Sequence, residues 1–262
     1  MCCFTVATPL GFVGRLFAPK VHVSQTNIFA RMVAPGRQVL AYGMNLSSKD
    51  EIAMVLPLPV SPGSGEDAVR FIDLSAHAHM FSELRQLFAL DLLAARKGGP
   101  RLSLPRAKTL VVHEIGSFVA SYVPTRADFE RLDPRFRIPD VLFDAVPHYR
   151  DYGFAVFQLK PGTVTVHPMG LEFPSRDDRL FFPTVHLHDG RFHRKAKFDH
   201  ALYYQLPRAT EVAAAIVLGE PAGEVVSWTK PGKSYAELVD VERPMLRQLR
   251  RGRFANDDLW IA

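Results

Sequence analysis

Residues 27–60 read NIFARMVAPGRQVLAYGMNLSSKDEIAMVLPLPV, and this segment predicts much of the architecture. β-branched, aromatic and methionine residues fill 27–33, 38–44 and 51–56. Pro35-Gly36 and the Ser-Ser-Lys-Asp segment at 47–50 separate these runs, and such residues favour chain reversals. We therefore predict an antiparallel meander of three strands. Pro57 and Pro59 should end it or confine it to a sheet edge.

Outward from this meander, helical and strand patterns alternate. Apolar residues recur at helical spacing in 76–95, which predicts one amphipathic helix. Lys97-Gly98-Gly99-Pro100 is the best internal boundary, because glycines and a proline end a helix. Beyond it we predict strands at 110–113, 117–123, 154–160, 163–173, 182–188 and 191–204, helices at 126–132, 141–149 and 211–218, and a basic surface segment at 243–253.

These patterns predict an α+β fold with mainly antiparallel sheets and a few packed helices. Two closely joined lobes are expected. Residues 1–97 would form a lobe of meander plus helix, and residues 107–262 would form a mixed β lobe with a terminal helical or basic segment.

Composition narrows the class of protein. The chain has 262 residues, 47% of them hydrophobic, and a formal net charge of +5, so it can bury an ordinary core. Basic and acidic residues are interspersed, which argues against nucleic acid as the partner. No apolar run reaches the roughly 20 residues that span a bilayer, and the N-terminus lacks the basic region of a signal peptide. The two cysteines are adjacent, so we expect no disulfide framework and predict a soluble, cytoplasmic protein.

The segment Val185–His193 offers the sharpest candidate site. Asp189-Gly190 between two β-patterned runs predicts a two-residue hairpin, in which His186 opposes His193 and Leu187 opposes Phe192. Alternation then places His186, His188 and His193 on one face, and three imidazoles suit Zn or Cu. The competing interpretation is the polar, solvent-facing side of a half-buried hairpin.

Cys2-Cys3 is the second candidate site. Adjacent thiolates can bind Zn or Cu together with the histidines. If Met1 is removed, Cys2 gains a free α-amine that can act as the base for its own thiol, as in N-terminal-nucleophile amide hydrolases. A buried apolar pair in the first strand is the alternative interpretation.

Several short motifs follow one another in a familiar order. They are Cys2-Cys3-Phe4, the strand end at 54–60, Glu114–Phe118, Gly153-Phe154 and Leu171–Ser175. Over residues 2 to 190 the chain resembles an uncharacterised bacterial domain-of-unknown-function family with a Cys-rich N-terminal start and a Leu-Pro-x-Pro strand end. The chain lacks the export signal and the glycines after the first cysteine that this family usually carries. The resemblance implies the architecture and no activity.

Three functions are compatible with these residues. The first is a metal-binding protein that uses Cys2, Cys3, His186, His188 and His193 as ligands. The second is an amide hydrolase with Cys2 as its nucleophile. The third is a non-catalytic scaffold or interaction protein, whose C-terminal tail Leu259-Trp260-Ile261 would contact a protein partner.

Overall fold

The computed structural model describes residues 2–6, 22–49, 51–95, 119–133, 137, 140–159, 162–187, 192–206 and 224–262. Strands dominate these residues. In chain order they are β1 (Cys2–Val6), β2 (His22–Ala34), β3 (Arg37–Ser48), β4 (Ile52–Leu58), β5 (Arg70–Ile72), β6 (Val119–Val123), β7 (Gly153–Leu159), β8 (Gly162–Pro174), β9 (Leu180–Phe182), β10 (His186–Leu187), β11 (Lys195–Gln205), β12 (Glu224–Thr229), β13 (Met245–Ala255) and β14 (Leu259–Ile261).

Helices are few in the same residues. They are α1 (Met80–Ala95), α2 (Asp140–Ala145) and short 3-10 turns at Ser75–His77, Arg126–Arg131 and Pro147–Tyr149. The predicted α+β class is therefore wrong, and the fold is mostly β. Most of the segment at 243–253, predicted as a basic surface segment, forms β13, and the helix predicted at 211–218 lies outside the described residues.

Two large sheets form the body of the fold. One has seven strands in the order β12-β13-β11-β2-β3-β8-β5, and the other has five in the order β10-β1-β4-β7-β6. A small sheet pairs β14 with β9. Most neighbours are antiparallel, as predicted, but β2 pairs with β11 and β1 pairs with β10 in parallel. Each large sheet combines strands from 1–97 and from 107–262, and residues 97–107 lie outside the described part of the chain.

The predicted three-strand meander is present only in its first two strands, because β4 lies between β1 and β7 in the five-stranded sheet. β2 and β3 form a hairpin around Gly36, whose φ of 66° suits a residue without Cβ. β4 differs from the prediction, because it continues through Pro57 and lies inside the five-stranded sheet. Proline has no backbone N–H to donate to a neighbouring strand. This is tolerated at Pro57 because the pairing of β4 with β1 stops at Val55.

Apolar layers hold the sheets and helices together. The main core lies between the two large sheets and includes Leu40, Met54 and Leu202. α1 covers the outer face of the seven-stranded sheet with Leu84 and Phe88. On the outer face of the five-stranded sheet, Phe129 and Phe143 pack against Phe154. No helix in the described residues is both long enough and apolar enough to cross a bilayer.

The basic segment at 243–253 lies inside a sheet. β13 pairs with β11 on one side and with β12 on the other. Its residues alternate, with Leu246 and Gln248 buried and Arg247 and Leu249 partly exposed. This two-residue period is typical of a strand, and the dense arginines conceal it in the sequence.

Glu172 links three strands of the seven-stranded sheet. From β8 its carboxylate accepts hydrogen bonds from Arg37 on β3 and Arg70 on β5. Burial alone would raise the pKa of Glu172, but these two guanidinium groups outweigh burial and hold the pKa below its usual value. The ionised carboxylate is therefore favoured in the folded state.

We expect Glu172→Gln to lower the free energy of unfolding by about 1 kcal/mol at pH 7. A lowered pKa contributes stability above the unfolded pKa of about 4.3 and loses it as the pH falls through the folded value. Urea denaturation should show that the two proteins converge below about pH 3. The exposed Glu130→Gln is the control. A loss for Glu172→Gln that is equally large at low pH would contradict the account.

Candidate functional site

The structure brings the first predicted histidine next to the N-terminal cysteines. β10 runs parallel to β1, with His186 in register with Cys2 and Leu187 in register with Cys3. Neighbouring strands lie about 4.8 Å apart, so the backbones of Cys2 and His186 are direct neighbours. The structure describes the backbone of β1 but not its side chains.

The predicted pairing of His186 with His193 is wrong in the described residues. His186 pairs with Cys2 on one side, and Phe192-His193 does not form a strand. His188 and the Asp189-Gly190 turn lie outside the described residues. Leu187 is buried, as predicted, and His186 is half-buried.

Asn256 bonds the backbone of His186. Its side-chain oxygen accepts a hydrogen bond of 2.7 Å from the His186 backbone N–H, and its amide nitrogen donates to the His186 carbonyl at 3.0 Å. The same nitrogen donates to the His193 carbonyl at 2.9 Å. The backbone groups that a hairpin strand would use are therefore bonded to a side chain. Asn256 is 1% exposed.

His200 is the imidazole that does meet His186. The Nε2 atoms of the two rings lie 3.0 Å apart, and the ring of Phe198 is centred 4.5 Å from that of His186. This contact joins the five-stranded sheet to the seven-stranded sheet. Because a hydrogen bond between ring nitrogens needs one N–H and one lone pair, the pair holds one proton between the two Nε2 atoms.

His200 was not among the predicted site residues, although the strand pattern around it contains a signal. The run KFDHALYYQ in β11 places Phe198, His200, Leu202 and Tyr204 on one face. A histidine in the apolar register of a strand should be buried and polar contacts should satisfy it. His200 is indeed 2% exposed.

A cation lies beside the histidine pair. Arg250 is in register with His200 on the neighbouring strand and is 7% exposed. Its guanidinium carbon lies 4.8 Å from the centre of the Phe198 ring and 4.6 Å from that of Phe254. Arg250 is thus held against the aromatic rings that surround the histidine pair.

Predicted metal binding receives no support from the described side chains. They contain no group of three or more His, Cys, Asp or Glu residues that could hold a metal ion. His186 and His200 supply two imidazoles, whereas a structural zinc site takes four ligands. A Zn or Cu site that includes Cys2 and Cys3 stays a prediction, as does the role of Cys2 as a nucleophile.

The C-terminal tail packs onto its own chain. β14 pairs with β9, and the Trp260 ring is centred 4.7 Å from that of Phe181. The guanidinium carbon of Arg179 lies over the Trp260 ring, 5.1 Å from its centre. The apolar residues of the tail therefore contribute to the fold and remain partly exposed, and contact of this tail with a protein partner stays a prediction.

Comparisons with known proteins identify the fold. No protein-family model and no curated protein matches this chain, so the resemblance to a bacterial family stays a prediction. The crystal structure of baculovirus P35 matches with a TM-score of 0.54 at 12% identity, over 93% of this chain and 98% of that chain. P35 in the caspase-8/P35 complex matches with a TM-score of 0.47 at 12% identity, over 90% of this chain and 95% of that chain. A mutated P35 after caspase cleavage matches with a TM-score of 0.47 at 13% identity, over 90% of this chain and 98% of that chain. The likeness to baculovirus P35 thus shows the fold of this chain.

Proposed function

We propose that this chain acts by binding a protein partner, and that the partner is a protease of the caspase class. The observation that carries the proposal is the shared fold, which extends over nearly the whole of this chain and of P35. P35 is known in a complex with caspase-8 and in a form cleaved by a caspase. The interaction-protein hypothesis is therefore favoured over the metal-binding and hydrolase hypotheses.

Exposed apolar side chains on edge strands are consistent with a protein-binding role. Val119 on β6 is 57% exposed and Trp228 on β12 is 55% exposed. In the described part of the chain β6 and β12 are edge strands of the two large sheets. Edge strands present unpaired backbone groups to an extended partner segment, and tryptophan is enriched among residues that dominate binding energy.

Surface plasmon resonance with immobilised caspase-8 tests the proposal. We expect binding by the unmodified chain and at least a tenfold weaker affinity for Trp228→Ala, because burial of an exposed indole contributes more than about 1.4 kcal/mol to a typical interface. Val241→Ala is the matched control, since Val241 is also exposed but lies outside the strands. Equal loss of affinity in both variants would contradict the role of the β12 edge, and absence of any binding would contradict the choice of partner.

A further inference from the structure

A polar cavity of about 270 Å³ lies where α1 crosses the strands of the seven-stranded sheet. Trp228 does not line it, whereas His200, the contact of His186, does. Three arginines line it: Arg85 comes from α1, and Arg247 and Arg251 come from β13. Positions 247, 249 and 251 alternate along β13, so both β13 arginines lie on one face. The fold thus collects three guanidinium groups around one small volume.

The positive charge in this cavity is only partly neutralised. Asp199 is the one carboxylate among the described lining residues, and its Oδ1 lies 3.3 Å from Nε of Arg251. Three guanidinium groups and one carboxylate give a formal charge of 3 − 1 = +2. Like charges gathered in this way repel one another unless an anion lies between them.

Arg247 is the most constrained of the three. Its guanidinium lies over the Phe88 ring at 4.4 Å, and its Nε is buried without a hydrogen-bond partner among the described residues. Burial lowers the pKa of Arg247, and the charges of Arg251 and Arg85 lower it further, against the opposing effect of Tyr203. A buried guanidinium donor without an acceptor is costly, so Arg247 adds to the unfavourable energy of gathering three cations around this cavity.

We propose that this cavity binds a phosphoryl group. At neutral pH a phosphate monoester carries about −1.5 to −2 charges and three acceptor oxygens, which matches both the excess charge and the convergent N–H donors. Arginine presents these donors in a planar fork suited to such oxygens. The cavity is small and partly open, with a volume close to the lower limit of about 300 Å³ for small-molecule sites, so one phosphoryl group fits it better than an extended nucleic-acid backbone.

Titration calorimetry with inorganic phosphate at low ionic strength tests the proposal on the full chain. We expect saturable binding at one site, and Arg247→Gln should weaken it by at least tenfold. Arg85→Gln should weaken it several-fold, and because Arg85 is exposed on α1, this variant should remain folded. Arg253→Gln is the matched control, since Arg253 lies exposed on the same strand but does not line the cavity.

Two competition experiments test whether the site prefers a phosphoryl group to a carboxylate. O-phosphoserine should compete with phosphate, whereas glutamate at the same concentration should not, because a single carboxylate supplies less charge and fewer oxygens. Equal competition by glutamate would overturn the phosphoryl assignment. An equal loss of affinity in Arg253→Gln and Arg247→Gln would show diffuse attraction and overturn the site. If Arg247→Gln fails to fold by circular dichroism, unchanged binding in Arg85→Gln overturns the proposal and several-fold weaker binding supports it.

Discussion

Replacement of Asp258 by alanine is expected to lower the free energy of unfolding by about 3 kcal/mol or more. Asp258 Oδ1 accepts hydrogen bonds from the backbone N–H groups of Thr184 at 2.8 Å and Val185 at 3.1 Å. Its Oδ2 accepts a hydrogen bond from the Tyr149 hydroxyl. Alanine would leave three buried donors without this acceptor, and each such loss costs about 1–3 kcal/mol.

Because the Tyr149 hydroxyl stays protonated, the destabilisation by Asp258→Ala should not change with pH around neutrality. Tyr149 is fully buried. Burial raises the pKa of its hydroxyl well above the usual value, and the charge of Asp258 raises it further. The hydroxyl therefore stays protonated and keeps a hydrogen that needs an acceptor.

Asp257→Ala is the matched control for this experiment. Asp257 is exposed, and its backbone carbonyl, which alanine retains, accepts the hydrogen bond from the Thr184 hydroxyl at 2.7 Å. Urea denaturation of both variants should show a large loss for Asp258→Ala and a change within about 0.5 kcal/mol for Asp257→Ala. Similar midpoints for the two variants would contradict the anchoring role of Asp258.

Asn256→Ala is expected to destabilise the fold by about 2–3 kcal/mol. The change removes the hydrogen bonds to the His186 N–H, the His186 carbonyl and the His193 carbonyl. Since these bonds fix the outer side of β10, we also expect faster hydrogen exchange at the His186 amide. Asn45→Ala is the control, because Asn45 is only half-buried and bonds the Gln25 side chain. Unchanged exchange at His186 in Asn256→Ala would show that β10 is held elsewhere.

Local patterns predicted much of the secondary structure. The β2 and β3 hairpin was found around Gly36, and the helix predicted at 76–95 begins at Met80 after a 3-10 turn. The helix predicted at 141–149 is divided, because α2 ends at Ala145 and a separate 3-10 turn begins at Pro147. Turn residues and helical spacing act over a few neighbours, so they can be read from sequence.

Long-range pairing could not be predicted in the same way. The Asp189-Gly190 pattern favoured a local hairpin, but His186 pairs with Cys2, and Asn256 bonds to the backbone of His186. These partners are far apart in the chain, and nothing in the local pattern of 185–193 indicates them. The contact of His186 with His200 depends on the packing of one sheet on another, which periodicity within a strand does not specify.

The most direct test of the proposed function is the mass of the particle formed with caspase-8. Size-exclusion chromatography with light scattering should be run on the chain alone, on caspase-8 alone and on their mixture. The account predicts a new peak whose mass is the sum of the two proteins, and a shift of that peak toward the free components with Trp228→Ala. Separate elution of both proteins at micromolar concentration, with each at its own mass, would contradict it.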